Sequence, residues 1–211
     1  MPRVTFYFDG FNFYNGLRSI SQTDHSWHSF YWLDFIKFCQ QFLSGDQQLE
    51  GVKYFTATPL GVGKQARQAL LFKANLLLNP AHFKIIKGKY YKKDVTCDSC
   101  TTVFQVPEEK RTDVNISVEM LGDCALDKTD ILVLISADSD LVPVINHIIT
   151  NYPNKKVRVY FPPKRSSADL QSSMNGKVVR LENNKPKFIS AVMPNDITIG
   201  GVVKASKPTT W

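Results

Sequence analysis

Four short runs of β-branched and aromatic residues stand out along the chain: Val4 to Phe8, Val52 to Ala57, Ile131 to Ile135 and Val157 to Phe161. Runs that lack polar alternation are buried on both faces, as strands are in a parallel sheet covered by helices. Between them the apolar positions shift to helical spacing, most clearly where Trp32, Phe35, Ile36, Cys39, Phe42 and Leu43 fall on one stripe. The same pattern predicts helices over 64–78, ending before Asn79-Pro80, over 113–125, and near 143–150 and 166–174. Strand and helix in alternation predict an α/β fold, a three-layer sandwich with a mostly parallel central sheet and right-handed crossovers. One stretch departs from the alternation: 83–93 and 101–106 read as two β arms around Cys97-Asp98-Ser99-Cys100, a hairpin inserted at about 83–106. The tail, about 186–211, holds Phe188, Ile189, Val192, Met193 and Ile197, too apolar to be left loose, and is predicted to pack on a single domain spanning 1–211.

Composition narrows the class. With 43% hydrophobic, 12% aromatic and 21% charged residues among 211, the chain is globular, neither fibrous nor disordered. No apolar run reaches the roughly 20 residues of a membrane span, and Met1-Pro2-Arg3 leads straight into a strand-like segment. A cytoplasmic protein without a membrane partner is expected. Four cysteines do not make a disulfide framework in a chain of this size, so thiols or a metal knuckle in a reducing compartment fit better. A net charge of +7 favours a polyanionic partner.

In open parallel sheets ligands bind beyond the carboxyl ends of the strands, and here those ends are acidic. The first run closes on Asp9-Gly10-Phe11-Asn12, the third on Ser136-Ala137-Asp138-Ser139-Asp140, and Asp113 opens the helix between. Taken singly, Asp113 also fits a helix cap and Asp138 and Asp140 fit loop acids before a helix led by Pro143. Together, three or four carboxylates on one rim repel unless a hard cation neutralises them, and all-oxygen ligands suit magnesium or manganese. Such an ion polarises a phosphoryl oxygen and acidifies a bound water, enough for in-line attack on a phosphodiester. Asn12 is placed to orient Asp9 or a water.

The segments FDGFNFYNGL at 8–17, EEKRTDVNISVEML at 108–121 and ISADSDLVPVI at 135–145 resemble the three signature blocks of the NYN domain family, a branch of the PIN-like nucleases. FPPKRSS at 161–167 and KPTTW at 207–211 extend the resemblance over nearly the whole chain. It implies a PIN-like fold and divalent-metal-dependent endoribonuclease activity, with Asp9, Asp113, Asp138 and Asp140 at the acidic positions and Asn12 at the asparagine after the first. Glu119 stands where many relatives carry aspartate, and Lys110-Arg111-Thr112 where the family often reads lysine-glycine.

Cys97 and Cys100 have the spacing of a zinc knuckle but supply only two of four ligands, which leaves zinc shared across a homodimer, a partner such as His82, a reducible pair, or an ordinary hairpin tip. The four histidines show no metal spacing and read as surface or packing residues. Among cations near the acidic rim, Arg18, Lys64, Arg67, Lys110, Arg111, Lys164 and Arg165, the pairs Lys110–Arg111 and Lys164–Arg165 are the expected RNA contacts. Phe11, Phe13 and Tyr14 are candidates for stacking on bases or for the core. The expected activity is hydrolysis of RNA by metal-activated water. The competing expectation is a non-catalytic RNA-binding module or adaptor of the same fold.

Overall fold

The computed structural model describes residues 1–209, apart from the side chains of Lys92 and of Pro107, Glu108 and Glu109. Thr210 and Trp211, the end of the KPTTW segment, therefore lie outside the described residues. Six strands form one sheet, all parallel: β1 (Arg3–Asp9), β2 (Gln48–Thr56), β3 (Phe83–Lys87), β6 (Ile131–Ile135), β7 (Lys156–Phe161) and β8 (Val178–Arg180). Their spatial order is β3-β2-β1-β6-β7-β8. The alternation of side chains along β1 and β6 explains the layers. Val4, Phe6, Phe8, Ile131, Val133 and Ile135 feed one core, while Tyr7, Leu132 and Leu134 feed the other.

The first core is covered by α1 (Gly10–Ser21), a 3-10 helix over His25–Tyr31, α2 (Phe35–Gln40) and α3 (Val62–Leu78). The second is covered by α4 (Thr112–Ala125), α5 (Val142–Asn151) and α6 (Ala168–Ser173). The stripe from Trp32 to Leu43 is core, as its spacing indicates, but its helix is only six residues long. Asp34 starts it by accepting the N–H of Lys37 at 2.9 Å, and Gln41 ends it. Between α4 and the sheet lies a charged network. Lys53 Nζ donates to Glu119 and Asp123 at 2.6 Å each, and the Tyr7 hydroxyl donates to Asp123 at 2.6 Å.

The hairpin differs from expectation. Phe83–Lys87 is the edge strand of the main sheet, in register with Val52–Thr56, and the inserted arms are β4 (Lys89–Thr96) and β5 (Val103–Lys110). The insertion thus covers 89–110 rather than 83–106. Gly88 separates strand from hairpin, and a Cβ there would lie 2.8 Å from the carbonyl oxygen of Lys110 and 2.7 Å from Thr112 Oγ1. After β8 come α7 (Lys185–Ala191) and the antiparallel pair β9 (Asp196–Ile199) and β10 (Val202–Ser206), with Phe188, Ala191, Met193, Ile197 and Ala205 buried in the first core. Among the described residues no helix is long and apolar enough to cross a membrane.

Candidate active site

With this strand order the chain leaves β1 toward β2 on one side and β6 toward β7 on the other, so a crevice opens beyond the carboxyl ends of β1 and β6. Asp9 is the last residue of β1 and caps α1. Asp138 follows β6 and caps a 3-10 turn over Ser139–Leu141. Asp113 stands in the first turn of α4. Each of the three offers a carboxylate oxygen within 4.8 Å of the others. Asp9 is buried, and Asp113 and Asp138 are partly exposed.

Asp9 is held from three directions. Its Oδ1 accepts the backbone N–H of Asn12 at 3.0 Å, and its Oδ2 accepts Asn12 Nδ2 at 2.8 Å and Ser136 Oγ at 2.7 Å. Ser136 Oγ in turn accepts the N–H of Asp138 at 3.0 Å, so one hydroxyl ties the ends of β1 and β6 together. The turn into α1 passes so close to β2 that a Cβ on Gly10 would sit 2.5 Å from the carbonyl oxygen of Phe55. Glycine is required there for close approach. Burial pushes the Asp9 carboxyl above its ordinary value of 3.8; the Asn12 and Ser136 hydrogen bonds oppose this and the charge of Asp138 adds to it.

The sequence profile of the NYN domain matches residues 4–182, the stretch that supplies all three carboxylates. The chain belongs to the NYN domain family. This places it in the PIN-like nuclease superfamily. Among solved structures, a protein of unknown function from Vibrio parahaemolyticus aligns with a TM-score of 0.57 at 17% identity, covering 85% of this chain and 93% of that one, a likeness of fold. A Burkholderia pseudomallei chain described as pilus assembly-related aligns at a TM-score of 0.26 and 12% identity over 68% of this chain and 94% of its own, too loosely to carry weight. No curated protein matches the chain.

The donor set of this NYN domain suits a hard divalent cation: oxygen only, clustered, with one member orientated by hydrogen bonds before any ion arrives. Ser136→Ala and Asn12→Ala are each expected to weaken manganese binding about 10- to 100-fold, read by calorimetric titration, because both orient Asp9 without belonging to the acidic group.

The pH dependence has a definite sign. An aspartate whose folded value is raised binds its proton more tightly in the fold than in the unfolded chain, so stability falls as pH climbs from 3.8 through the raised value. Metal-free wild type is therefore expected to lose thermal stability relative to Asp9→Asn across that range. Manganese at neutral pH should raise the melting temperature of wild type more than that of the variant.

Other residues singled out from the sequence fall elsewhere. Asp140 is exposed and outside the acidic group, its N–H donating to Asp138 Oδ1 at 3.0 Å. Glu119 lies in the network beneath α4. Burial there disfavours its charge, but Lys53 and Lys84 override this and lower its carboxyl below the ordinary value. Arg111 adopts a left-handed backbone, φ 77°, and donates to the Tyr91 hydroxyl at 3.0 Å, while Lys110 ends β5. Lys164 is exposed with φ 56°, and Arg165 is half-buried in the turn after β7. No third histidine, cysteine or carboxylate among the described residues joins Cys97 and Cys100 in a metal-sized group, and His82 Nδ1 lies 3.1 Å from the carbonyl oxygen of Glu50.

A cleft of about 710 Å³ runs from Asp9, Asp113 and Asp138 between α1 and α3. Its cations are Arg18, Lys64 and Arg67, whereas Lys110, Arg111, Lys164 and Arg165 do not line it. Ser136 gives little sign of its role in the sequence, its only signal being its position directly after a buried strand and two residues before an aspartate.

Proposed function

We propose that this protein is a divalent-metal-dependent endoribonuclease that cleaves RNA phosphodiesters at the Asp9–Asp113–Asp138 cluster. The observation that carries the reading is the convergence of three carboxylates, one of them buried, at the point of the sheet where the strand order reverses, inside a cleft lined by cations. Retaining a buried carboxylate beside two others is costly without a positive charge among them. Asp9, Asp113 and Asp138 would hold magnesium or manganese. Bound there, the ion would polarise the scissile phosphate and lower the pKa of the attacking water. Asn12 and Ser136 fix the Asp9 carboxylate through both oxygens, which removes the need to reorganise it during reaction. Arg18, Lys64 and Arg67 neutralise backbone phosphates along the cleft.

The test is incubation of labelled RNA pools with wild type and Asp9→Asn, with magnesium, manganese or chelator. Cleavage that needs the metal and disappears in the variant is expected. Cleavage that persists in chelator, or no cleavage by wild type with either metal, would overturn the reading and favour a non-catalytic RNA-binding module.

A further inference from the structure

The 3-10 helix over His25–Tyr31 is seven residues long, whereas runs beyond three or four are uncommon. With three residues per turn, side chains at i, i+3 and i+6 eclipse one another. Trp27 and Phe30 therefore face the core, while His25, His28 and Tyr31 line up on the outer side. The rings form an unbroken series. His25 and His28 have centroids 5.5 Å apart, His28 and Tyr31 5.9 Å, and Tyr31 meets Tyr14 of α1 at 5.7 Å. Tyr14 and Tyr31 line the cleft, and Phe11, one turn nearer Asp9 on the same face of α1, is 51% exposed at its lip. His25 and His28 carry the row out of the cleft onto open surface. Core packing does not account for such a row, because its outer members touch solvent.

Charge follows the same path. Arg18 lies one turn beyond Tyr14 on α1, and Lys64 and Arg67 present one face of α3 across the cleft. None of the three belongs to an ion pair among the described residues.

We propose that Tyr14, Tyr31, His28 and His25 form a track that binds the unpaired bases of single-stranded RNA, while Arg18, Lys64 and Arg67 hold its phosphates and feed the chain to the acidic cluster. The inference rests on the ribonuclease reading for its direction, and it places the RNA between α1 and α3 rather than over Lys164 and Arg165. Rings stack on any base, so the track selects an unpaired strand and is tolerant of sequence.

The experiment measures binding in chelator, by fluorescence anisotropy, of full-length protein to a uridine 12-mer, an abasic 12-mer and a paired 12-base-pair RNA. Wild type is expected to prefer the single strand to the duplex. The double variant Tyr31→Ala/His28→Ala should bind the uridine 12-mer about tenfold or more weakly, while its affinity for the abasic strand stays unchanged. Tyr31→Phe keeps a ring and should keep the affinity. His28→Ala, at an exposed position, tests the track without threatening the fold. Lys64→Ala/Arg67→Ala should weaken both single strands and flatten the dependence of log affinity on log salt by about 0.7 per lost contact. Unchanged uridine affinity in the alanine variants of the rings, an equal loss on the abasic strand, or a larger loss in Lys164→Ala/Arg165→Ala would overturn the track. Parallel assays with manganese separate the two claims. Metal-dependent cleavage with unaltered binding in the alanine variants of the rings rejects the track alone, and ring-dependent binding without cleavage rejects the nuclease reading alone.

Discussion

Metal-dependent RNA cleavage is expected to fall at least about 100-fold in Asp113→Asn and in Asp138→Asn, while Asp140→Asn and Glu119→Gln stay within about threefold of wild type. The contrast follows from position. Asp113 and Asp138 bring carboxylate oxygens within 4.8 Å of Asp9, so losing either charge removes a ligand from a three-membered set. Asp140 contributes its backbone N–H to Asp138 and leaves its carboxylate in solvent. The charge of Glu119 is already neutralised by Lys53 at 2.6 Å and Lys84 at 3.2 Å. Single-turnover cleavage at saturating manganese distinguishes the four variants. Equal losses in Asp140→Asn and Asp113→Asn would mean that the ion is held further out, toward the 3-10 turn.

Phe188→Ala is expected to cost about 3–5 kcal/mol of folding stability, the range for removing a fully buried phenylalanine. The side chain has no exposed surface, and its ring meets those of Phe13, Trp27, Phe30 and Phe38 at centroid distances of 6.3, 5.1, 5.2 and 4.4 Å. It joins α7 to α1, the 3-10 helix and α2 at once, so its loss leaves a cavity that no single neighbour can fill. Urea denaturation gives the value. Ile189→Ala, next along the helix but 60% exposed, serves as the control and should stay within about 0.5 kcal/mol of wild type.

How much of this was legible in the sequence depended on whether a segment carried one signal or two. β1, β2, β6 and β7 were plain because burial on both faces forces an uninterrupted apolar run, and the acids at their ends stood out against it. α1 was not expected: Phe11, Phe13, Tyr14, Asn12 and Gly16 are indifferent or poor helix formers, and packing decides in their place. Gly16 is needed because a Cβ there would lie 2.7 Å from the carbonyl oxygen of Pro163. β3 and the hairpin run together in the sequence because only Gly88 separates Phe83–Lys87 from Lys89–Thr96, and both read as strand. Strand ends and spacing bring Asp9, Asp113 and Asp138 to one rim, whereas the place of Asp140 outside that group is set by the 3-10 turn, which spacing does not reveal. The cations of the cleft were visible as charges, but their place depends on α1 and α3 flanking one crevice, a long-range fact that no local pattern carries. The outward histidines show no metal spacing, and their alignment needs a three-residue period that helical patterning does not test.

The position of β1 in the middle of the sheet also governs when the acidic cluster comes into being. As the chain is synthesised, β1 emerges before β2 and can pair with it, but its other edge stays open until β6 is made more than a hundred residues later. Ser136 and Asp138 arrive only with that last central strand, so Asp9 waits without the hydroxyl that orients it and without its acidic neighbour. A nascent or truncated chain that ends before β6 therefore cannot bring Asp138 up to Asp9, and under the proposed function any cleavage of RNA is deferred until the sheet is closed on both edges of β1.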